Sequence, residues 1–207
     1  MKEVELKIHA MSTTLYPADA YALVLEEVGG ARRKLPVIIG QAEAHAIKVV
    51  MMKYQPPRPL THDLFPMLTT CLQADLKKVF IYKAKDGVFY SHLYFEKLNV
   101  EDEEEKEIRL DARTSDAVAL ALRYKCPIYT TEEIMESEHL HDLGEGKFSV
   151  PITSVSLQML EEALQTAIEK EEYEQASQLR DEIHKRKEKW NKPEKRKILC
   201  TFFIPPI

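Results

Sequence analysis

Apolar residues alternate with charged ones from the start of the chain. Val4, Leu6 and Ile8 interleave with Glu5 and Lys7, which predicts a half-buried strand. A turn at Tyr16-Pro17-Ala18-Asp19 leads to a second strand, Tyr21 to Val28, and Gly29-Gly30 turns the chain into a third, Lys34 to Ile39. Val37-Ile38-Ile39 is apolar on both faces, which predicts a central place in a sheet. Gln41 to Lys53, rich in Ala, Met and Val, reads as a helix. Gln55-Pro56-Pro57-Arg58-Pro59 cannot continue it, because proline clashes with the preceding turn and lacks the amide donor. A second helix is predicted from Thr61–Asp63 to about Gln73, with Leu64, Met67, Leu68, Cys71 and Leu72 as its apolar stripe. Cys71 on that stripe reads as a small core hydrophobe.

The period then returns to two. Lys78 to Lys83 and Val88 to Phe95 are strand-like, and Asp86-Gly87 between them is a strong hairpin signal. An acidic loop, Glu101 to Glu105, precedes a strand at Lys106 to Asp111. A third helix is expected over Ser115 to Tyr124, with Thr114 or Ser115 as its cap, and a short strand over Pro127 to Thr130. Thr130 and Glu133 have capping-box spacing ahead of a further helical turn. This order lacks regular β-α alternation and predicts an α+β fold, a mixed β-sheet with packed helices. Beyond it, Leu157, Leu160, Leu164 and Ile168 recur at helical spacing, as do Tyr173, Ala176, Leu179 and Ile183, which predicts a C-terminal antiparallel helical hairpin. The expected organisation is a main domain over 1–143, a linker over 144–156, the hairpin over 157–190 and a tail over 191–207.

Composition narrows the class. The 207 residues are 44% hydrophobic and 30% charged, which fits one main domain with a small appendage. No stretch approaches the ~20 apolar residues of a membrane span, and the first ten residues lack a signal-peptide core. The expectation is a cytoplasmic protein with no membrane partner. Cys71, Cys126 and Cys200 are odd in number and far apart, against a disulfide framework or zinc ribbon. A net charge of −5 argues against a chain-wide polyanion-binding surface. Charge is uneven, however: residues 161–182 carry eight acids and two bases, and residues 185–197 eight bases and two acids, so any basic contact must be local.

Three blocks carry a resemblance. They are Leu35-Pro36-Val37-Ile38-Ile39-Gly40 followed by Glu43 and His45, then Pro57-Arg58-Pro59-Leu60-Thr61-His62-Asp63-Leu64, and Asp111-Ala112-Arg113-Thr114-Ser115-Asp116-Ala117. In order and spacing they resemble the bifunctional nuclease domain, over roughly residues 3–140. The resemblance implies an α+β fold, a tendency to form homodimers, and cleavage of both DNA and RNA. A second resemblance lies in Leu160-Glu161-Glu162-Ala163-Leu164, Glu171-Glu172-Tyr173-Glu174-Gln175-Ala176 and Leu179-Arg180-Asp181-Glu182-Ile183, which look like the UVR motif. That motif is a helical hairpin of protein–protein contact, and it implies a UVR-containing partner engaged by Leu164, Tyr173 and Leu179.

Phosphodiester cleavage needs a nucleophilic water, a proton or metal for the leaving oxygen, and positive charge on the phosphate. The matched blocks supply candidates. His45, His62 and Asp63 would move protons, Arg58 and Arg113 would grip phosphate oxygens, and Glu43, Asp63 and Asp116 would hold a divalent cation. Hard oxygen ligands favour Mg²⁺ or Mn²⁺ over zinc. Glu43 and His45 lie about 200° apart on an ideal helix, so both can face one site only with Glu43 in a non-helical entry. Plainer readings compete with each role. Thr61, Asp63 or Asp116 caps a helix, Arg113 pairs with an acid such as Asp111, and His45 is a packed or surface histidine. The rival to a nuclease is a non-catalytic dimeric scaffold that recruits a DNA-repair or proteolysis partner, and a third reading is a small-molecule sensor.

Overall fold

The computed structural model describes residues 2–12, 20–98, 106–142, 148–149 and 157–191. A mixed seven-stranded sheet carries the main domain. Its strands are β1 (Glu3–Met11), β2 (Ala20–Glu27), β3 (Lys34–Gly40), β4 (Ala74–Lys85), β5 (Val88–Lys97), β6 (Glu107–Arg113) and β7 (Ile128–Thr131), in the order β3-β2-β1-β7-β4-β5-β6. The chain has an α+β fold. Every pairing is antiparallel except β4 with β7, where the chain has crossed back to insert β7 beside β1. The helices are α1 (Gln41–Met51), α2 (Leu64–Cys71) behind a 3₁₀ turn at Thr61–Asp63, α3 (Thr114–Tyr124) and α4 (Glu132–Glu138).

The alternation read from the sequence sets which face is buried. Leu6, Leu23, Leu25, Leu35, Val79, Ile81, Leu93 and Phe95 pack with Ile47, Val118 and Met135 into one core between the sheet and helices α1, α3 and α4. The opposite face of β4, β5 and β7 is half-buried and aromatic. Tyr82 stacks on His92 with ring centroids 4.0 Å apart, and the Lys78 ammonium lies 5.0 Å from the Tyr94 ring. Asp86 (φ 52°) and Gly87 (φ 79°) form the β4–β5 turn, both in the left-handed region that such a hairpin requires.

Three expectations change. First, β3 is an edge strand. Pro36, opposite Val24, has no N–H to give a further strand, which suits an edge, and Leu140 closes on that edge by donating its N–H to the Lys34 carbonyl (2.7 Å). Second, Thr131 caps α4, its hydroxyl accepting from the Ile134 N–H at 3.3 Å, in place of Thr130, whose hydroxyl donates to the Ile81 carbonyl within the sheet. Third, the apolar stripe of α2 is not core. No residue of that helix is buried, and Cys71 is exposed.

After the domain, β8 (His141–Asp142), at the end of the span expected as the main domain, pairs with β9 (Phe148–Ser149), which falls within the span expected as a linker. The rest of that linker, the Tyr16–Asp19 turn, the Glu101–Glu105 loop, Cys200 and nearly all of the tail lie outside the described residues. Helices α5 (Leu157–Glu169) and α6 (Tyr173–Asn191) form the predicted hairpin, closed on Leu160, Ala167, Ala176, Leu179 and Ile183. Arg186, buried on α6, donates from Nε to Glu182 Oε1 (2.9 Å) and from Nη1 to the Asp86 carbonyl at the β4–β5 turn (3.4 Å).

Candidate active site

Helices α1 and α3 pack on each other, and each begins where an edge strand ends, α1 after β3 and α3 after β6. Their openings and the 3₁₀ turn therefore meet around one cleft of about 650 Å³. Glu43, His45, His62, Arg113 and Asp116 line it, with Phe65 and Leu110 as apolar walls.

Arg113, at the N-cap of α3, is one of its lining residues. Its Nε donates to Asp116 Oδ2 (2.7 Å) and its Nη1 to Glu43 Oε1 (2.8 Å). This linkage fastens the start of α3 to α1. The alternative partner of Arg113, Asp111, instead accepts from the Tyr82 hydroxyl (3.2 Å). Neither Thr114 nor Ser115 caps α3, since Thr114 is buried against Ser91 with 2.6 Å between hydroxyls. Glu43 is the third residue of α1 and fully helical, yet it shares the cleft with His45. Its long side chain folds back over Gly40, where a Cβ would come within 2.6 Å of Oε2, while the exposed His45 stands on the rim. Side-chain reach thus overrides the angular separation expected on a helix.

The other oxygen of Asp116 meets the His62 ring, 3.0 Å from Nε2. Burial pushes the Asp116 carboxyl up, but hydrogen bonds from Arg113 and His62 outweigh it and hold the group below its ordinary range. Asp116 is therefore an acceptor, and it selects the histidine tautomer with the proton on Nε2. The lone pair is then on Nδ1, the arrangement of a base oriented by a carboxylate. Arg113 itself has a side chain 69% exposed and engages only part of its five-donor fork within the protein. It can donate to a bound anion without giving up its ion pairs.

Two sequence candidates stand outside this group. Arg58 is exposed and does not line the cleft. Asp63 does not line it either. One Asp63 oxygen accepts from the Leu60 N–H (2.8 Å) and the other from Arg123 Nε (2.6 Å). Burial raises the Asp63 pKa, and those two donors more than offset it, leaving it below the ordinary range. The partner, Arg123, was not singled out from the sequence. Its side chain is only 6% exposed and its Nη1 also donates to the carbonyls of Ala46 (3.1 Å) and Ala119 (2.9 Å), so it locks the 3₁₀ turn to α1 and α3. A lone arginine in the last turn of an apolar helix reads as a dipole partner, and nothing in the pattern distinguishes it.

The donor set tests the metal expectation. Among the described residues no three His, Cys, Asp or Glu side chains gather around one point. Glu43 and Asp116 share a cation, but that cation is Arg113, and Asp63 belongs to Arg123. Two of the three expected ligands are adjacent to one position, and the third is not.

In the hairpin, Leu179 is buried in the hairpin's own core and Leu164 packs partly against it, so neither is an open contact residue. Tyr173, beside the turn, is 70% exposed.

Several known proteins resemble this chain over part of its length. Two uncharacterized proteins from strains of Mycobacterium tuberculosis are 41% identical over 119 residues, 58% of this chain and 66% of theirs. Bifunctional nuclease 1 of Oryza sativa subsp. indica is 28% identical over 117 residues, 56% of this chain and 34% of its own length. Bifunctional nuclease 1 of Arabidopsis thaliana is 22% identical over 182 residues, 78% of this chain and 55% of its own length. The chain thus spans less than two thirds of the length of each of these relatives. A UvrB/uvrC motif matches residues 155–188, the region of the helical hairpin. The bifunctional nuclease domain matches residues 23–142, more than half of the chain and every residue of the cleft, and the protein belongs to that family.

Proposed function

We propose that the cleft hydrolyses phosphodiester bonds of DNA and RNA in the cytoplasm. The observation that carries this reading is the chain of contacts Glu43–Arg113–Asp116–His62, which sets a cation beside an oriented histidine in one open cleft. Arg113 would bind the phosphate and stabilise the charge that builds on it during attack. His62, held by Asp116, would take the proton from the attacking water at Nδ1. His45, on the rim, is the remaining group able to return a proton to the leaving oxygen. A divalent cation, Mg²⁺ or Mn²⁺, held by Glu43 and Asp116 is the second form of the proposal, and it would supply the positive charge that Arg113 otherwise brings. The hairpin is proposed to contact another protein, a UVR-containing one, through its turn, where Ile168 (49%) and Tyr173 (70%) are exposed.

The test is cleavage of end-labelled single-stranded DNA and RNA by the purified full chain. Wild type should cut both, and His62→Gln and Asp116→Asn should each lower the rate by about a hundredfold or more. If both variants match wild type, the activity is not this cleft's, and the non-catalytic scaffold is the better reading.

A further inference from the structure

A second cavity adjoins the cleft on a neighbouring flank of α1. It encloses about 440 Å³ and is lined by Tyr21, Gln41, Ala42, Ala44, His45 and Lys48. Gln41, Ala44 or His45, and Lys48 recur at steps of three and four, which puts them on one face of the helix. Ala42 and His45 line both spaces, so the opening of α1 is a ridge between them that carries His45. Among the described residues no carboxylate lines the second cavity, whereas Arg113 in the cleft is held by two.

Lys48 is the cation of this second space. Its ammonium lies 4.1 Å from the centre of the Tyr21 ring and forms no ion pair among the described residues. Tyr21 is itself fixed, on β2 opposite Ile39 and packed against the core. An ammonium standing on an immobile ring has already given up part of its side-chain freedom, so gripping an anion there costs less ordering.

We propose that this cavity is a subsite for the nucleotide that flanks the scissile phosphate of a DNA or RNA strand, with Lys48 and the Gln41 side-chain amide donating to the next phosphate. The proposal rests on the hydrolytic reading of the cleft for the nature of its ligand. Charge and continuity select the occupant. An ammonium without a counter-charge, in a space with no acid, favours an anion. A space that shares a wall with the cleft favours an anion covalently continuous with the group bound at Arg113. A polynucleotide supplies both, one phosphate per nucleotide, whereas a mononucleotide fills the cleft alone. His45 stands between the two spaces and is the group proposed to protonate the leaving oxygen, so the nucleotide at Lys48 is the leaving one.

Fluorescence anisotropy of a labelled, cleavage-resistant phosphorothioate octathymidylate on the full chain tests the subsite by binding. Lys48→Met should weaken binding by about tenfold, the loss of one charge-assisted contact. It should also reduce the slope of log affinity against log salt by about 0.7, the value of one phosphate contact on a single strand. Lys48→Arg should keep the slope of wild type. Lys53→Met, at an exposed lysine past the end of α1 that lines neither space, should stay within about twofold of wild type. Thymidine 5′-monophosphate, which fits the cleft alone, should bind wild type and Lys48→Met equally. A lysine that only packs on Tyr21 leaves the salt slope where it was, so an unchanged slope in Lys48→Met would overturn the proposal. An equal loss in Lys53→Met would overturn it too, as would an equal loss of monophosphate affinity, which would put Lys48 in the cleft itself. Binding that follows the expected pattern without cleavage keeps the subsite and removes the hydrolytic reading. Cleavage with unchanged binding does the reverse.

Discussion

Asp63→Asn separates two roles that the same residue can play. As a catalytic or metal-binding group, Asp63 would affect cleavage and leave stability nearly unchanged. As placed here, it is the counter-charge of Arg123, whose side chain is 6% exposed and whose Nη2 is buried without a hydrogen-bond partner among the described residues. Asparagine keeps the shape but removes the charge. It can still accept one hydrogen bond, so either the Leu60 N–H or Arg123 loses its full partner. Breaking a fully buried ion pair costs about 3–5 kcal/mol. Asp63 is 30% exposed and water can replace part of the lost contact, so the expected cost is about 2–3 kcal/mol. In a main domain of this size that lowers Tm by about 5–10 °C. Urea unfolding followed by circular dichroism gives the stability, and cleavage measured well below the variant's Tm gives the activity. A variant within about 0.5 kcal/mol of wild type that has lost cleavage a hundredfold would refute the assignment and return Asp63 to the chemistry.

Other consequences can be checked alongside. Asp63 and Asp116 are both held below the ordinary Asp range, so each contributes stability that is present above its unfolded value of about 4 and is lost as pH falls through the folded value. Acid titration of the unfolding free energy should show a loss beginning near pH 4–5, and its midpoint should shift in Asp63→Asn. Arg113→Lys keeps the charge but not the fork, and it should weaken phosphate-dependent binding by about tenfold or more while Tm changes little, since the side chain is largely exposed. A chelator distinguishes the two forms of the proposed mechanism: cleavage that persists in excess EDTA favours Arg113 as the working cation, and cleavage restored by Mg²⁺ or Mn²⁺ favours the ion.

Much was legible in the sequence because strands and helices announce themselves by period. Alternation over Val4–Ile8 and Val88–Phe95, the Asp86-Gly87 turn and the helical spacing of the two segments within Leu157–Ile183 each mark a local conformation that the structure keeps. The three matched blocks likewise pointed to Glu43, His45, His62, Arg113 and Asp116, and all five reach one cleft. Partner choice was not legible. That Arg113 joins Glu43 and Asp116, and that Asp63 turns to Arg123, depends on α1 and α3 starting from opposite edges of the sheet and packing together, a contact between residues 60 to 77 positions apart. Burial was equally undecided for two apolar stretches. Val37-Ile38-Ile39 lies on an edge strand, and the α2 stripe that reads as core in sequence is left outside the core. Hydrophobicity states that a face must be covered. Only the tertiary structure shows whether the chain itself covers it, because that depends on which elements the topology brings within reach.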